Sequence, residues 1–446
     1  MCEGKAASLG CELVTTLRGN ECWALAERAG YHSDWRAAAG ADLGEAKKLA
    51  TAECERKYEG CTVALTFCAH GSVLDAAEPW KKLATSRVRV LALTTHCTRD
   101  AIMASKITND PRIDPRLKAI FGSIPDQAQA GDVASREQLL AEEQTDNTKA
   151  RIAMLEAMSE MCDNEQVAPS KGLRITTETF RSEPDGNTIK IQHIRPDTTE
   201  RLPCVYYIHG GGMQFFSCFD GMYKAWGRVI AAQGVAVAMV DFRNAIRSSS
   251  APEVAPFPAG LNDCVSGVRW VAARPDRLNI DPKRIIVAGE SGGGNLTLAT
   301  GLKLKRDGDI GVIKGLYALC PYIAGQWPLP QNPSSMENNG ILLDLHNNRG
   351  AMAYGIEAFR AKDPLAWPGF ATDADVKGLP PTVIHVNECD PLRDEGINFY
   401  RLLIKNGVHA RCRQAMGTTH GTEIFAIACP DISYDTARDI AAFCRK

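Results

Sequence analysis

The clearest pattern in the chain runs from Leu173 to Cys444, where short apolar runs alternate with helical periodicity. Leu173 to Phe180 and Thr188 to Ile194 alternate around Pro184-Asp-Gly-Asn187, which predicts a hairpin. Val205 to Ile208, Val235 to Val240, Ile285 to Ala288, Leu316 to Cys320 and Thr382 to Asn387 are short, mostly apolar runs, and Ile285 to Ala288 is rich in β-branched residues. Such runs suit strands buried on both faces. Ala410 to Arg413 reads as a further short strand. Helical spacing falls between them, at Tyr223 to Ala232, Leu261 to Ala273, the stretch after Leu296, and Tyr434 to Cys444. The alternation predicts an α/β fold with a mostly parallel sheet flanked by helices. Residues 321–378, rich in Pro, Asn and Trp, interrupt it as an excursion lining a pocket would.

Ahead of this core the pattern differs, and three segments are expected. Residues 1–105 form an N-terminal extension of unassigned role, residues 106–170 a helical cap, and residues 171–446 the catalytic domain. In the first, Ala38 to Tyr58 reads as a helix with Ala46, Leu49, Ala50 and Cys54 on one face; Cys61 to Ala69 and Val88 to Thr94 read as strands. In the second, Asp110 and Asp114 each precede a proline and can cap short helices. Glu137 to Met161 reads as one longer amphipathic helix, suited to lie over a site as a lid.

Composition narrows the classes. The 446 residues are 45% hydrophobic and 23% charged, as in ordinary globular proteins, and the net charge of −2 points to neither nucleic acid nor an anionic membrane. No apolar run is long enough for a membrane span. The N-terminus lacks a basic region followed by an apolar core, so a cytoplasmic protein with mostly reduced thiols is expected from its 16 cysteines. Cys61, Cys68, His70, His96 and Cys97 lie close in sequence, but no Cys-x-x-Cys pair is present, so packing thiols are expected rather than a metal.

The chemistry gathers at Arg284-Ile-Ile-Val-Ala-Gly-Glu-Ser-Gly-Gly-Gly-Asn295. Gly289-Glu290-Ser291-Gly292-Gly293 fits G-x-S-x-G between a strand and a helix, the setting of a nucleophile elbow. A serine hydroxyl needs a base, a carboxylate to hold that base, and donors for the oxyanion. Asp390 stands just after the strand Thr382 to Asn387, at the carboxyl end where sites of open α/β sheets gather. Asp394, one helical turn on, is the weaker candidate. His420 lies in the polar glycine-bounded loop Met416-Gly-Thr-Thr-His-Gly421, whereas His385 reads as a core histidine and His346 as an exposed one. Gly211, Gly212 and Gly292 are the expected oxyanion donors, with Gly210 less favoured. His209, Gly210 and Glu290 are expected to support the two motifs.

His209-Gly-Gly-Gly, Gly289-Glu-Ser-Gly-Gly, Asp390-Pro-Leu-Arg-Asp-Glu-Gly396 and His420-Gly421 together resemble the hormone-sensitive-lipase family of α/β-hydrolase esterases. The resemblance covers roughly residues 108–446. It implies a Ser291–Asp390–His420 triad, a helical N-terminal cap, and hydrolysis of short- to medium-chain carboxylic esters without metal or cofactor. A small-molecule ester is the expected partner, and the resemblance is compatible with a homodimer. Glu290 stands where many members carry Asp, Met213 where an aromatic is common, and the first hundred residues are not covered. Two alternatives stay open: an amidase- or lactonase-type acyl hydrolase with the same triad, and a non-catalytic ligand-binding protein on the same scaffold.

Overall fold

A computed structural model describes residues 22–28, 31–40, 43–55, 61–68, 73–76, 105–122 and 130–446. The chain divides into two compact units, residues 1–102 and 103–446.

The first unit contains a four-stranded antiparallel sheet of β1 (Cys22–Arg28), β2 (Tyr31–Gly40), β3 (Cys61–Cys68) and β4 (Val73–Ala76), in the order β2-β1-β3-β4. The helix α1 (Leu43–Glu55) packs against it. The helix expected from Ala38 therefore starts later. Ala38, Ala39 and Gly40 instead pair with Ala24, Trp23 and Cys22, so the sheet ladder overrides the helical preference of an alanine-rich tract. Ala46, Ala50 and Cys54 are buried as expected, while Leu49 is 44% exposed. Cys54 is disulfide-bonded, whereas nine cysteines of the second unit are free thiols. The strand expected at 88–94, and His70, His96 and Cys97, lie outside the described residues.

The second unit is built on an eight-stranded sheet. Its strands are β5 (Leu173–Arg181), β6 (Thr188–Pro196), β7 (Leu202–Ile208), β8 (Ala236–Val240), β9 (Ile280–Glu290), β10 (Gly315–Leu319), β11 (Thr382–Asn387) and β12 (Ala410–Ala415). Their order is β12-β11-β10-β9-β7-β8-β6-β5. The β5–β6 hairpin is antiparallel, and β6 runs antiparallel to β8; from β8 to β12 every pairing is parallel. Central strands β7, β8 and β10 are buried at every position, because helices cover both faces. Two apolar clusters fill the two sides. One lies around Val287, Leu296 and Val268, the other around Ala288, Trp226 and Ile440.

The helices ahead of the sheet depart from expectation in two places. Asp114 caps a helix with Pro115 at its first position, as expected. Asp110 does not start a helix: Ser105 caps Lys106–Asn109, and the Asp110 carboxylate accepts hydrogen bonds from the Arg112 backbone and guanidinium. The long helix expected over 137–161 is two helices, α2 (Arg136–Glu142) and α3 (Asp146–Cys162). Thr145 divides them, because its hydroxyl accepts from Thr148 N and caps a fresh helix start. α2 is anchored by Arg136, which donates to Ala245 O; Ala245 N in turn donates to Met213 O.

Candidate active site

The turn after β9 places Ser291 at φ 57° and ψ −119°, a strained conformation for a residue with a side chain. The turn is forced by close approach. A Cβ at Gly289 would lie 2.4 Å from Ile208 O, and one at Gly293 only 2.0 Å from the same oxygen. Ser291 N donates to Leu319 O, and Ser291 O accepts from Asn295 N and Tyr322 N, which ties the turn to β10 and to the helix Gly292–Arg306. Ser291 is half-buried between a buried Glu290 and a buried Gly292.

Three of the expected side chains come together. His420 Nε2 lies 2.8 Å from Ser291 Oγ, and His420 Nδ1 lies 2.8 Å from Asp390 Oδ2. Asp390 is fully buried and also accepts a hydrogen bond from Leu392 N through Oδ1. Burial disfavours the imidazolium form of His420, yet the charge and hydrogen bond of Asp390, with the neighbouring Cys320, together hold the ring's pKa well above the ordinary histidine value. The Cys320 thiol also adjoins this ring. Burial pushes it up to about 11, so it is neutral at pH 7. Cys320 Sγ, Asp390 and His420 offer ligand atoms within 4.8 Å of one another, but both ring nitrogens are already engaged by Ser291 and Asp390. Among the described residues this is the one cluster with metal-ligand chemistry.

The glycine loop after β7 closes on the same point. A Cβ built on Gly292 would fall 2.7 Å from Gly212 N and 2.6 Å from Met213 N, so amides from two separate segments converge beside the serine. Gly211 and Gly212 adopt φ of 92° and 60°, in the left-handed region. Gly210 N is not free to serve a substrate: it donates to Glu290 Oε1 at 2.7 Å. Glu290 also accepts from the Tyr207 and Tyr223 hydroxyls, at 2.6 Å each. Its burial raises its carboxyl pKa to about 7. His209 is stacked on Phe242 with ring centroids 4.3 Å apart, and its Nδ1 lies 3.0 Å from Gly210 O. Both residues therefore shape the loop rather than face the serine.

The remaining candidates fall elsewhere. Asp394 accepts from Ser334 N and pairs with Arg393 in the first turn of α4 (Arg393–Lys405). His385 is buried on β11 as expected. His346, expected to be exposed, is half-buried with Nε2 2.8 Å from Ser335 O, because the 321–378 excursion folds back on itself.

Sequence reasoning did not single out Glu395. Its fully buried carboxylate accepts from Ile323 N, Ala324 N and Trp327 Nε1, and so fastens the start of the excursion, including Tyr322 beside the serine turn. Burial raises its pKa to about 8. A signal was present: position 395 lies on the apolar stripe formed by Leu392, Phe399 and Leu403, where a carboxylate must find partners.

Comparison with known proteins agrees with this geometry. Residues 205–424 match the family model described as the alpha/beta hydrolase fold. Carboxylesterase NlhH of Mycobacterium tuberculosis is 31% identical over 340 residues, spanning 75% of this chain and 96% of the relative. The solved structure of esterase Est22 is 66% identical with a TM-score of 0.74, over 76% of this chain and 99% of that one. The structure of brefeldin A esterase, described as a bacterial homologue of human hormone sensitive lipase, is 35% identical with a TM-score of 0.67, over 76% of this chain and 94% of that one. No helix among the described residues is long and apolar enough to cross a membrane. The parallel sheet, the elbow after β9 and these relatives together place the chain in the hormone-sensitive-lipase family of the α/β-hydrolase superfamily.

Proposed function

We propose that the protein is a serine carboxylesterase that hydrolyses short- to medium-chain carboxylic esters through an acyl-enzyme. The observation that carries the reading is the continuous chain of hydrogen bonds from Ser291 Oγ through His420 to the buried carboxylate of Asp390. The carboxylesterase and esterase names of the relatives support the same class.

In this reading, His420 Nε2 takes the proton of Ser291 Oγ as that oxygen bonds to the ester carbonyl carbon. The developing oxyanion is held by amides of Gly211, Gly212 and Gly292. His420 then gives its proton to the departing alcohol oxygen as the carbon–oxygen bond breaks, leaving an acyl-serine. A water, deprotonated by the same nitrogen, attacks the acyl carbon; the acid leaves and Ser291 regains its proton. Asp390 keeps Nδ1 protonated so that Nε2 carries the lone pair. Residues 106–170 act as the cap, supported by the tie from Arg136 through Ala245 to the Met213 loop.

The test is hydrolysis of p-nitrophenyl esters of graded acyl length by the wild type and by Ser291→Ala. The variant should keep its circular dichroism spectrum and lose activity by about 10⁶-fold, as when a triad serine is removed. Substantial activity in Ser291→Ala would overturn the nucleophile. A wild type that binds such esters without turning them over would favour the ligand-binding alternative.

A further inference from the structure

A second, buried imidazole–carboxylate pair joins β11 to the segment that follows His420. His385 Nε2 is 2.8 Å from Glu423 Oε1, with side-chain exposures of 3% and 0%. Asn387 Nδ2 donates to the same Glu423 oxygen at 2.7 Å and to Thr418 Oγ1 at 2.9 Å. Burial alone would raise the Glu423 carboxyl, but His385, Asn387 and a backbone amide together hold it below the usual glutamate range. Burying a carboxylate and an imidazole together is costly, and an apolar pair of similar volume would pack here more cheaply. The arrangement therefore calls for a reason beyond stability.

Its place in the fold supplies one. His385 and Asn387 sit on β11, the strand whose end carries Asp390, and Glu423 and Thr418 flank His420 in the loop above. Cys389 N donates to Thr418 O, and Asn387 Nδ2 reaches both Thr418 and Glu423, so the loop is tied to β11 and its end on both sides of His420. His385 O also accepts from Cys320 N, beneath the thiol that adjoins the His420 ring. A glycine-bounded polar loop has little apolar area with which to hold a ring in register. Hydrogen bonds to a buried carboxylate can do so.

We propose that Glu423, held by His385 and Asn387, is a positioning residue for His420: it locks the loop to the end of β11 and so sets the imidazole between Ser291 and Asp390. The proposal rests on the esterase reading above. Displacing a reacting group by about 1 Å can cost on the order of 10²-fold in rate.

The test compares Glu423→Ala, Glu423→Gln and Asn387→Ala with wild type, with kcat normalised to folded protein by circular dichroism. Glu423→Ala should lower kcat by about 10- to 100-fold with KM nearly unchanged. Esters of aliphatic alcohols should lose more than p-nitrophenyl esters, because a poor leaving group depends on the proton that His420 delivers. Glu423→Gln keeps an oxygen for both donors and should retain most of kcat. If Glu423→Ala fails to fold, Asn387→Ala carries the same comparison, since it removes only the amide bridge to Glu423 and Thr418. An active wild type whose variants melt earlier yet keep kcat and leaving-group selectivity would overturn the positioning role. A wild type inactive on every ester would instead count against the esterase reading.

Discussion

Glu290 Oε1 accepts a hydrogen bond from Gly210 N at 2.7 Å, so the residue before the nucleophile grips the first glycine of the opposing loop. One buried carboxylate thereby couples the two segments whose amides are proposed to hold the oxyanion. The coupling explains why Gly210 is withdrawn from the oxyanion site while Gly212 N stands beside Gly292.

Filling that junction should be costly. In Gly292→Ala the added methyl would fall 2.7 Å from Gly212 N and 2.6 Å from Met213 N, in the space the oxyanion needs. The expected outcome is a loss of at least about 10²-fold in kcat, comparable to removing an oxyanion donor. Steady-state kinetics on p-nitrophenyl acetate checks it; near-normal turnover would move the oxyanion site elsewhere.

The two aspartates of the Asp390-Pro-Leu-Arg-Asp394 run should separate sharply. Asp390→Asn deprives His420 Nδ1 of its carboxylate and is expected to lower kcat by about 10⁴-fold. Asp394 contacts Ser334 and Arg393 instead, so Asp394→Asn should keep most of the activity. The reverse ranking would reassign the carboxylate.

The pH dependence follows from the sign of the His420 shift. Catalysis needs Nε2 unprotonated, and Asp390 holds the ring's pKa well above the ordinary histidine value. The acid limb of kcat/KM should therefore lie above the limb of a free imidazole. In Asp390→Asn the charge that raises it is gone, so the limb of the residual activity should move to lower pH. A limb that stays put would detach it from His420.

Glu395 should leave a signature in stability rather than rate. Burial raises its pKa in the folded chain to about 8, while the unfolded chain releases that proton near the ordinary glutamate value of about 4.3. The folded state thus holds a proton that the unfolded state has lost, and this contribution to stability falls as pH rises from about 4.3 to 8. Glu395→Gln carries no such proton. Its melting temperature should gain on that of the wild type across this window, whatever the fixed cost of the amide facing Trp327 Nε1. A difference independent of pH would show that Glu395 keeps its charge when folded.

Much of the second unit was legible because its signals are local. A run such as Ile285 to Ala288 is buried on both faces in any α/β sheet, and Gly289 and Gly293 mark a turn that tolerates no side chain. Ser291, Asp390 and His420 each sit at the end of a strand or just beyond one, where periodicity stops and polar residues begin. Local signals failed where a tertiary partner decided the outcome. Ala38 to Gly40 joined a sheet because β1 lay alongside; the break at Thr145, by contrast, is a local cap on Thr148 N that helical periodicity does not register.

By itself the sequence determined the alternation of strands and helices, the elbow and the order of serine, aspartate and histidine, since these follow from periodicity and residue type. Only the tertiary structure decided which carboxylates lie buried and what they hold. The motif around Glu290 and the apolar stripe around Glu395 do not name their partners, and Glu423 carries no mark at all; strands and loops remote in sequence bring all three their amides, hydroxyls and ring. A carboxyl group is tolerated in the interior where such partners converge, and that convergence is a property of packing in three dimensions.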